Sequence, residues 1–137
     1  MTRRDAERLL TWWAARLAPA WRVTIDWGSL APPPNSAQVK WSDDYEIATI
    51  ELCLGWLDTH HDNMDNPDLE REVDLVHEVV HVCQQPGQLA FFSLQASLPP
   101  GLARQLALDR YKHDDERQCE RISRLLVGLR HGRGAAV

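Results

Sequence analysis

The chain is predicted to fold as an α+β domain with an N-terminal helix, a small three-stranded, mainly antiparallel sheet, a central helix and C-terminal helices. Two kinds of periodicity lead to this expectation. Apolar residues recur every three to four positions near the start, in the middle and toward the end, and every second position in three short runs between the first two helices. Proline and glycine punctuate the junctions at Pro19, Gly28, Pro32-Pro33-Pro34, Pro86-Gly87 and Pro99-Pro100-Gly101. A length of 137 residues, with 44% apolar and 26% charged, suits one globular domain over 1–137 with a single core.

The first helix begins at Thr2, where Asp5 three residues on makes a capping box, and Ala6, Leu10, Trp13 and Leu17 form its stripe up to Pro19. Trp12 and Trp13 are read as packing residues. Trp21 to Trp27 alternates, with Trp21, Val23, Ile25 and Trp27 on one face, and Gly28 ends the strand. After the stiff proline loop, Ala37, Val39 and Trp41 alternate again. Ser42-Asp43-Asp44 turns the chain into a third strand, Tyr45 to Leu52, and the two pair as a hairpin. Asp58 to Asn66 is a polar, acidic loop in which His60 and His61 are expected to be solvated.

Asn66-Pro67 starts the central helix, with Asn as N-cap, Pro in the first turn and Asp68, Glu70 and Glu72 at its positive end. Leu69, Val73, Val76, Val80 and Cys83 make one apolar stripe, widened by Leu75, Val79 and Val82, so the helix belongs in the core. It runs through Glu70 to Gln84 and breaks at Gln84-Gln85-Pro86-Gly87. Leu89 to Leu98 is read as a short helix over the core. Leu102 to Arg130 is helical, continuous or broken near His113-Asp114, with Cys119, Ile122, Leu126 and Leu129 as its stripe. Gly132-Arg133-Gly134 is read as a frayed tail.

Within the central helix stands His77-Glu78-Val79-Val80-His81. Histidines four apart on a helix project from one face a turn apart, so both imidazoles reach one cation. Glu78 points about 100° away, where it can act on a metal-bound water without ligating the metal. Imidazoles and a carboxylate in a core helix cost free energy unless paired or metal-bound. A hydrolytic zinc takes a third protein ligand and leaves a fourth position open. Candidates for that ligand cluster in Asp114-Asp115-Glu116-Arg117-Gln118-Cys119-Glu120. Asp115 lies nearest the apolar stripe, Glu116 at its border and Glu120 further out. In another reading, this acid run is a solvated face paired with Arg117, Arg121 and Arg124.

A net charge of −5 argues against general nucleic-acid binding. No apolar window is long enough for a membrane span and no targeting segment is visible, so a cytoplasmic location is expected. Cys53, Cys83 and Cys119, odd in number and widely spaced, read as buried reduced thiols.

His77-Glu78-Val79-Val80-His81 followed by Glu116-x-x-Cys119-Glu120 resembles the gluzincin branch of the zincin metallopeptidases, and more closely compact one-domain metallopeptidase-like proteins of bacteria and their phages. The resemblance implies a minimal zincin-like fold binding Zn2+ through His77, His81 and Glu116. It implies Glu78 as the general base, and Glu120 as the acceptor that orients His77 or His81. Tyr111 and His113, near the third ligand in sequence, are candidates for stabilising the oxyanion. It further implies a protein or peptide substrate paired with an edge strand, the part expected of Tyr45 to Leu52. Two other expectations stand beside zinc-dependent peptide hydrolysis. One is a non-catalytic zinc-binding module acting through protein interaction; the other is a metal-free interaction protein.

Overall fold

The computed structural model describes residues 1–42, 44–97 and 99–132, without the side chains of residues 86–89, 92 and 95. The elements are α1 (Arg3–Leu17), β1 (Arg22–Leu30), β2 (Ala37–Ser42), β3 (Ile47–Leu52), α2 (Pro67–Cys83), α3 (Gln85–Ala96) and α4 (Leu102–Gly132). This is the α+β order expected from the sequence. Asp43, Leu98 and the residues of the tail beyond Gly132 lie outside the described residues.

Local chemistry starts the helices where the sequence places them. The Asp5 N–H donates to Thr2 Oγ1 at 3.1 Å and the Thr2 N–H to Asp5 Oδ2 at 2.8 Å, closing the capping box of α1. At α2 the Asn66 side chain accepts from the Leu69 N–H at 3.2 Å, and Pro67 fills the first helical position, where its missing N–H has no intrahelical partner to lose. The same tolerance explains a difference from expectation at Pro86-Gly87. The chain turns at Gln84 and resumes at once as α3, with Pro86 in the first helical turn. α4 runs unbroken past His113-Asp114 for 31 residues.

The sheet is mixed, in the order β1-β3-β2. β3 pairs antiparallel with β2, as the hairpin requires, and parallel with β1 through Arg22↔Ile47 to Asp26↔Glu51. Antiparallel pairing thus describes one of its two ladders. The loop of residues 31–36 crosses the end of β3. It is fastened there by the Ala31 N–H to Leu52 O bond at 3.1 Å and the Cys53 N–H to Ser36 O bond at 2.9 Å. β3 is thereby inserted between the other two, and both its edges are used. The expectation that Tyr45 to Leu52 is the edge strand is therefore corrected: that stretch supplies the central strand, and the edge facing α2 is β2.

α2 lies at the centre of the molecule, covered by α1, the sheet and α4. Val73, Leu75, Val76, Val79, Val80 and Val82 are all buried along it, each contributing about 1.5–3 kcal/mol by leaving water. Along α4 the fully covered residues are Cys119, Ser123 and Val127, a stripe of small side chains four apart that lets this helix approach α2 closely. Buried Glu72 secures the far end of α4: it accepts from Trp13 Nε1, Arg130 Nη1 and His131 Nε2.

Of the three cysteines, Cys119 is buried, Cys53 is half-buried and Cys83 is exposed, so burial was expected of one thiol too many at the end of α2 and another at the end of β3. Cys83 is the last residue of its helix, where the covering layers stop. Among the described residues, no helix is long and apolar enough to cross a membrane.

Candidate metal centre

The face of α2 that carries Asp74, His77, Glu78 and His81 forms the floor of a cleft of about 690 Å³. One wall is the proline loop with β2, from Pro34 to Trp41. The other is α4, through Tyr111, Lys112, Asp115, Glu116 and Glu120.

Three side chains converge in this cleft, each imidazole meeting a different oxygen of Glu116. His77 Nε2 lies 3.0 Å from Glu116 Oε2, His81 Nε2 lies 3.0 Å from Glu116 Oε1, and the two Nε2 atoms are 3.1 Å apart. A tetrahedral zinc with bonds of about 2.0–2.1 Å holds neighbouring ligand atoms about 3.3 Å apart, and one atom from each of these three residues lies within 4.8 Å of the others, close enough to share an ion after small side-chain rotations. The donor set, two imidazoles and one carboxylate, is also the right chemistry for zinc.

Each imidazole is steadied at its other nitrogen. His77 Nδ1 lies 3.2 Å from Glu120 Oε2. Glu120 in turn accepts from Arg124 Nε, which is tied to Glu70 by both Nη atoms at 3.2 and 3.0 Å. His81 Nδ1 lies 3.2 Å from Asp115 Oδ2 and 3.5 Å from Cys119 Sγ. Asp115 and Glu116, adjacent on α4, thus face opposite nitrogens of the same ring. Arg124 pairs with the acid run, as the solvated-face reading expects, but it does so behind Glu120, on the side away from His77.

Electrostatics follow from this crowding. Burial pushes the pKa of His77 down, but the hydrogen bond it donates to Glu116, the charges of Glu78 and Glu116, and the hydrogen bond it donates to Glu120 raise it to about 9. His81 is also raised, against burial, chiefly by Glu116. Hydrogen bonds from His77 and His81 hold the Glu116 carboxyl well below the usual carboxylate range. Glu78, 7% exposed, is pushed up by desolvation, which the nearby histidines oppose. The Cys119 thiol is raised by burial and by Asp115 and Glu116, which disfavours a thiolate.

Tyr111 stands on the α4 wall with its ring stacked on Phe91 at 3.8 Å. His113 is exposed and does not line the cleft. Cys83 belongs to neither group of donor atoms found among the described residues. The second such group, His81, Asp115 and Cys119, shares His81 with the first.

Two residues escaped the sequence reading. His61 was expected to be solvated, yet it is 3% exposed and bonded through Nε2 to Asp74 Oδ2 at 2.9 Å. Its burial comes from the turn of residues 55–61, which folds it against Trp56. Asp74 itself was visible in principle: Asp74, His77, Glu78 and His81 fall at i, i+3, i+4 and i+7, one face of a helix. Comparison of the chain with protein-family models, with curated proteins and with solved structures found no match.

Proposed function

We propose that the chain is a zinc-dependent hydrolase of peptide bonds, a gluzincin-like metallopeptidase working in the cytoplasm. The observation that carries this reading is the triangle of His77 Nε2, His81 Nε2 and Glu116 beside buried Glu78 in one open cleft. A zinc ion held by these three residues would supply Lewis acidity toward a carbonyl oxygen and make water a better nucleophile at neutral pH. Three free cysteines suit a reducing compartment.

The residues divide the work by position. Glu78, with its pKa raised, takes the proton of the attacking water as its oxygen bonds to the carbonyl carbon. It delivers that proton to the amine as the C–N bond breaks. Glu120 and Asp115 hold the imidazoles in the tautomer that leaves each Nε2 free for the metal. The Tyr111 hydroxyl is the donor proposed for the oxyanion.

Peptide recognition is assigned to the outer edge of β2, where the Val39 N–H donates to Glu78 and the peptide would take the places on either side. Because Ser36 O bonds to the Cys53 N–H, alternation turns the main-chain groups of Ala37, Val39 and Trp41 away from β3, toward the cleft. An extended peptide adding to that edge would pass over His77 and Glu78. Zinc-loaded protein should cleave a denatured protein substrate and lose that activity on chelation. Retained activity after chelation, or in a Glu78→Gln protein that still binds zinc, would rule the mechanism out.

A non-catalytic zinc module is the second reading, favoured by the buried grouping of His81 Nδ1, Asp115 and Cys119. It requires a thiolate from a thiol that its surroundings keep protonated. Cobalt substitution separates the two: a thiolate-to-cobalt absorption band belongs to the second site alone.

A further inference from the structure

Asp74 stands one turn before His77 and Glu78 on α2, and its side chain, 19% exposed, forms part of the cleft lining. Its Oδ2 accepts from Trp56 Nε1 and from His61 Nε2, both at 2.9 Å. Both donors are buried, so the carboxylate is gripped from behind in one orientation. Oδ1 receives no hydrogen bond among the described residues. His61 Nδ1 is buried without a partner among them, so the neutral ring with its proton on Nε2 fits, since a proton on Nδ1 would lack an acceptor. Asp74 therefore presents a charge that its own supports do not neutralise.

The rest of the cleft reinforces that sign. Asp74, Glu78, Asp115, Glu116 and Glu120 line it against a single lysine, Lys112. A divalent ion offsets two of these negative charges and leaves the cleft hospitable to a cation. Bracing the loop that carries Trp56 and His61 needs an acceptor at position 74, but not a charge. A cleft-lining carboxylate with one oxygen left over from its braces offers more than bracing demands.

Resting on the reading of the cleft as a peptide-hydrolysing site, we propose that Asp74 selects substrates with a basic side chain, lysine or arginine, beside the scissile bond. The side chain's ammonium or guanidinium group meets Oδ1 while the peptide main chain lies along β2.

The test measures binding first, so that it does not depend on turnover. The full chain carrying Glu78→Gln, with zinc present, is titrated with alanine-based peptides bearing one central lysine, norleucine or glutamate. The lysine peptide is expected to bind about tenfold more tightly than its norleucine isostere, the size of one charged hydrogen bond. Adding Asp74→Asn, which keeps an acceptor for Trp56 and His61, should erase that preference. Equal binding of lysine and norleucine peptides, or a preference that survives Asp74→Asn, overturns the proposal. Should Asp74→Asn fail to fold, high salt takes its place: the lysine preference must shrink by screening, and a salt-independent preference overturns the proposal equally. Wild-type protein with zinc is then offered the same peptides. Absence of cleavage with the lysine preference intact refutes the hydrolase reading and leaves the cation site standing. Cleavage with no lysine preference does the reverse.

Discussion

Nδ1 of His77 lies 3.2 Å from Oε2 of Glu120, on the side of the ring opposite the Nε2 that faces Glu116. Glu116 and Glu120 are one turn apart on α4, so a single helix addresses both nitrogens of one imidazole. Because Glu120 is itself held by Arg124, the ring is oriented by a chain of contacts that ends at Glu70 on α2. Removing an acceptor of this kind loosens the ligand without deleting it. Glu120→Ala should weaken zinc binding about 10–100-fold with one-to-one stoichiometry preserved. Competition with a chromophoric chelator measures this; unchanged affinity would mean that His77 needs no such support.

Zinc should also stabilise the fold. At a free concentration 100 times its Kd, a ligand of the native state adds about 2.7 kcal/mol, enough to raise the melting temperature by several degrees. Differential scanning fluorimetry should show that rise in the wild type and its loss in His77→Ala and Glu116→Ala. A melting temperature indifferent to zinc in the wild type would count against a native-state site.

The raised pKa of His77 makes opposite predictions for the metal-free and zinc-bound protein. Without metal, the folded pKa of about 9 exceeds the ordinary histidine value of 6.5, so the pairing with Glu116 contributes stability that is whole below pH 6.5 and lost as pH rises through 9. Glu116, lowered from 4.5, contributes stability that is present above that pH and fades in stronger acid. Zinc must displace protons from His77 and His81, so its affinity should rise at least about tenfold per pH unit from 6.5 to 9 and then level off. Calorimetry across this range, in buffers of different ionisation enthalpy, reads the released proton directly; a flat affinity would show that His77 is not a ligand.

Glu78→Gln isolates the chemical step. The amide keeps the shape of a 7%-exposed side chain but cannot accept a proton. Hydrolysis should fall at least about 100-fold, in kcat more than in KM, while zinc affinity changes little. A loss confined to KM would instead assign Glu78 to substrate binding.

Glu72 tests the frame rather than the site. It is 3% exposed and accepts from Trp13, Arg130 and His131, which ties α1 and the end of α4 to α2. Glu72→Ala leaves the largely buried guanidinium of Arg130 without its carboxylate and should destabilise the protein by about 3 kcal/mol. Urea denaturation measures this, and a cost below about 0.5 kcal/mol would mark the cluster as dispensable.

Much of this arrangement was legible in the chain. Thr2 with Asp5, and Asn66 with Pro67, announce helix starts through bonds that reach only three residues. The alternations at 37–41 and 45–52 disclose a hairpin because its partners are sequence neighbours. His77, Glu78 and His81 share a helix, so their relative directions follow from its pitch alone. What escaped was set by contacts between distant segments. The loop at residues 31–36 decides that β3 is central by crossing its end, and nothing in the alternation of β3 records that. His61 looked like a loop histidine until the turn at 55–61 buried it against Trp56 and Asp74.

By itself, then, the sequence determined the helices, the hairpin and the common direction of two imidazoles, because each is governed by bonds and periodicities within a few residues. Tertiary structure alone decided that Glu116 stands at the Nε2 side of His81 and Asp115 at its Nδ1, and that β2 supplies the edge above the cleft. Those outcomes depend on the rotation of α4 about its axis and on the path of a loop across the sheet. The first is set by packing of small side chains such as Cys119 and Ser123 against α2, the second by the bonds of Ala31 to Leu52 and of Cys53 to Ser36, over separations that local periodicity does not encode.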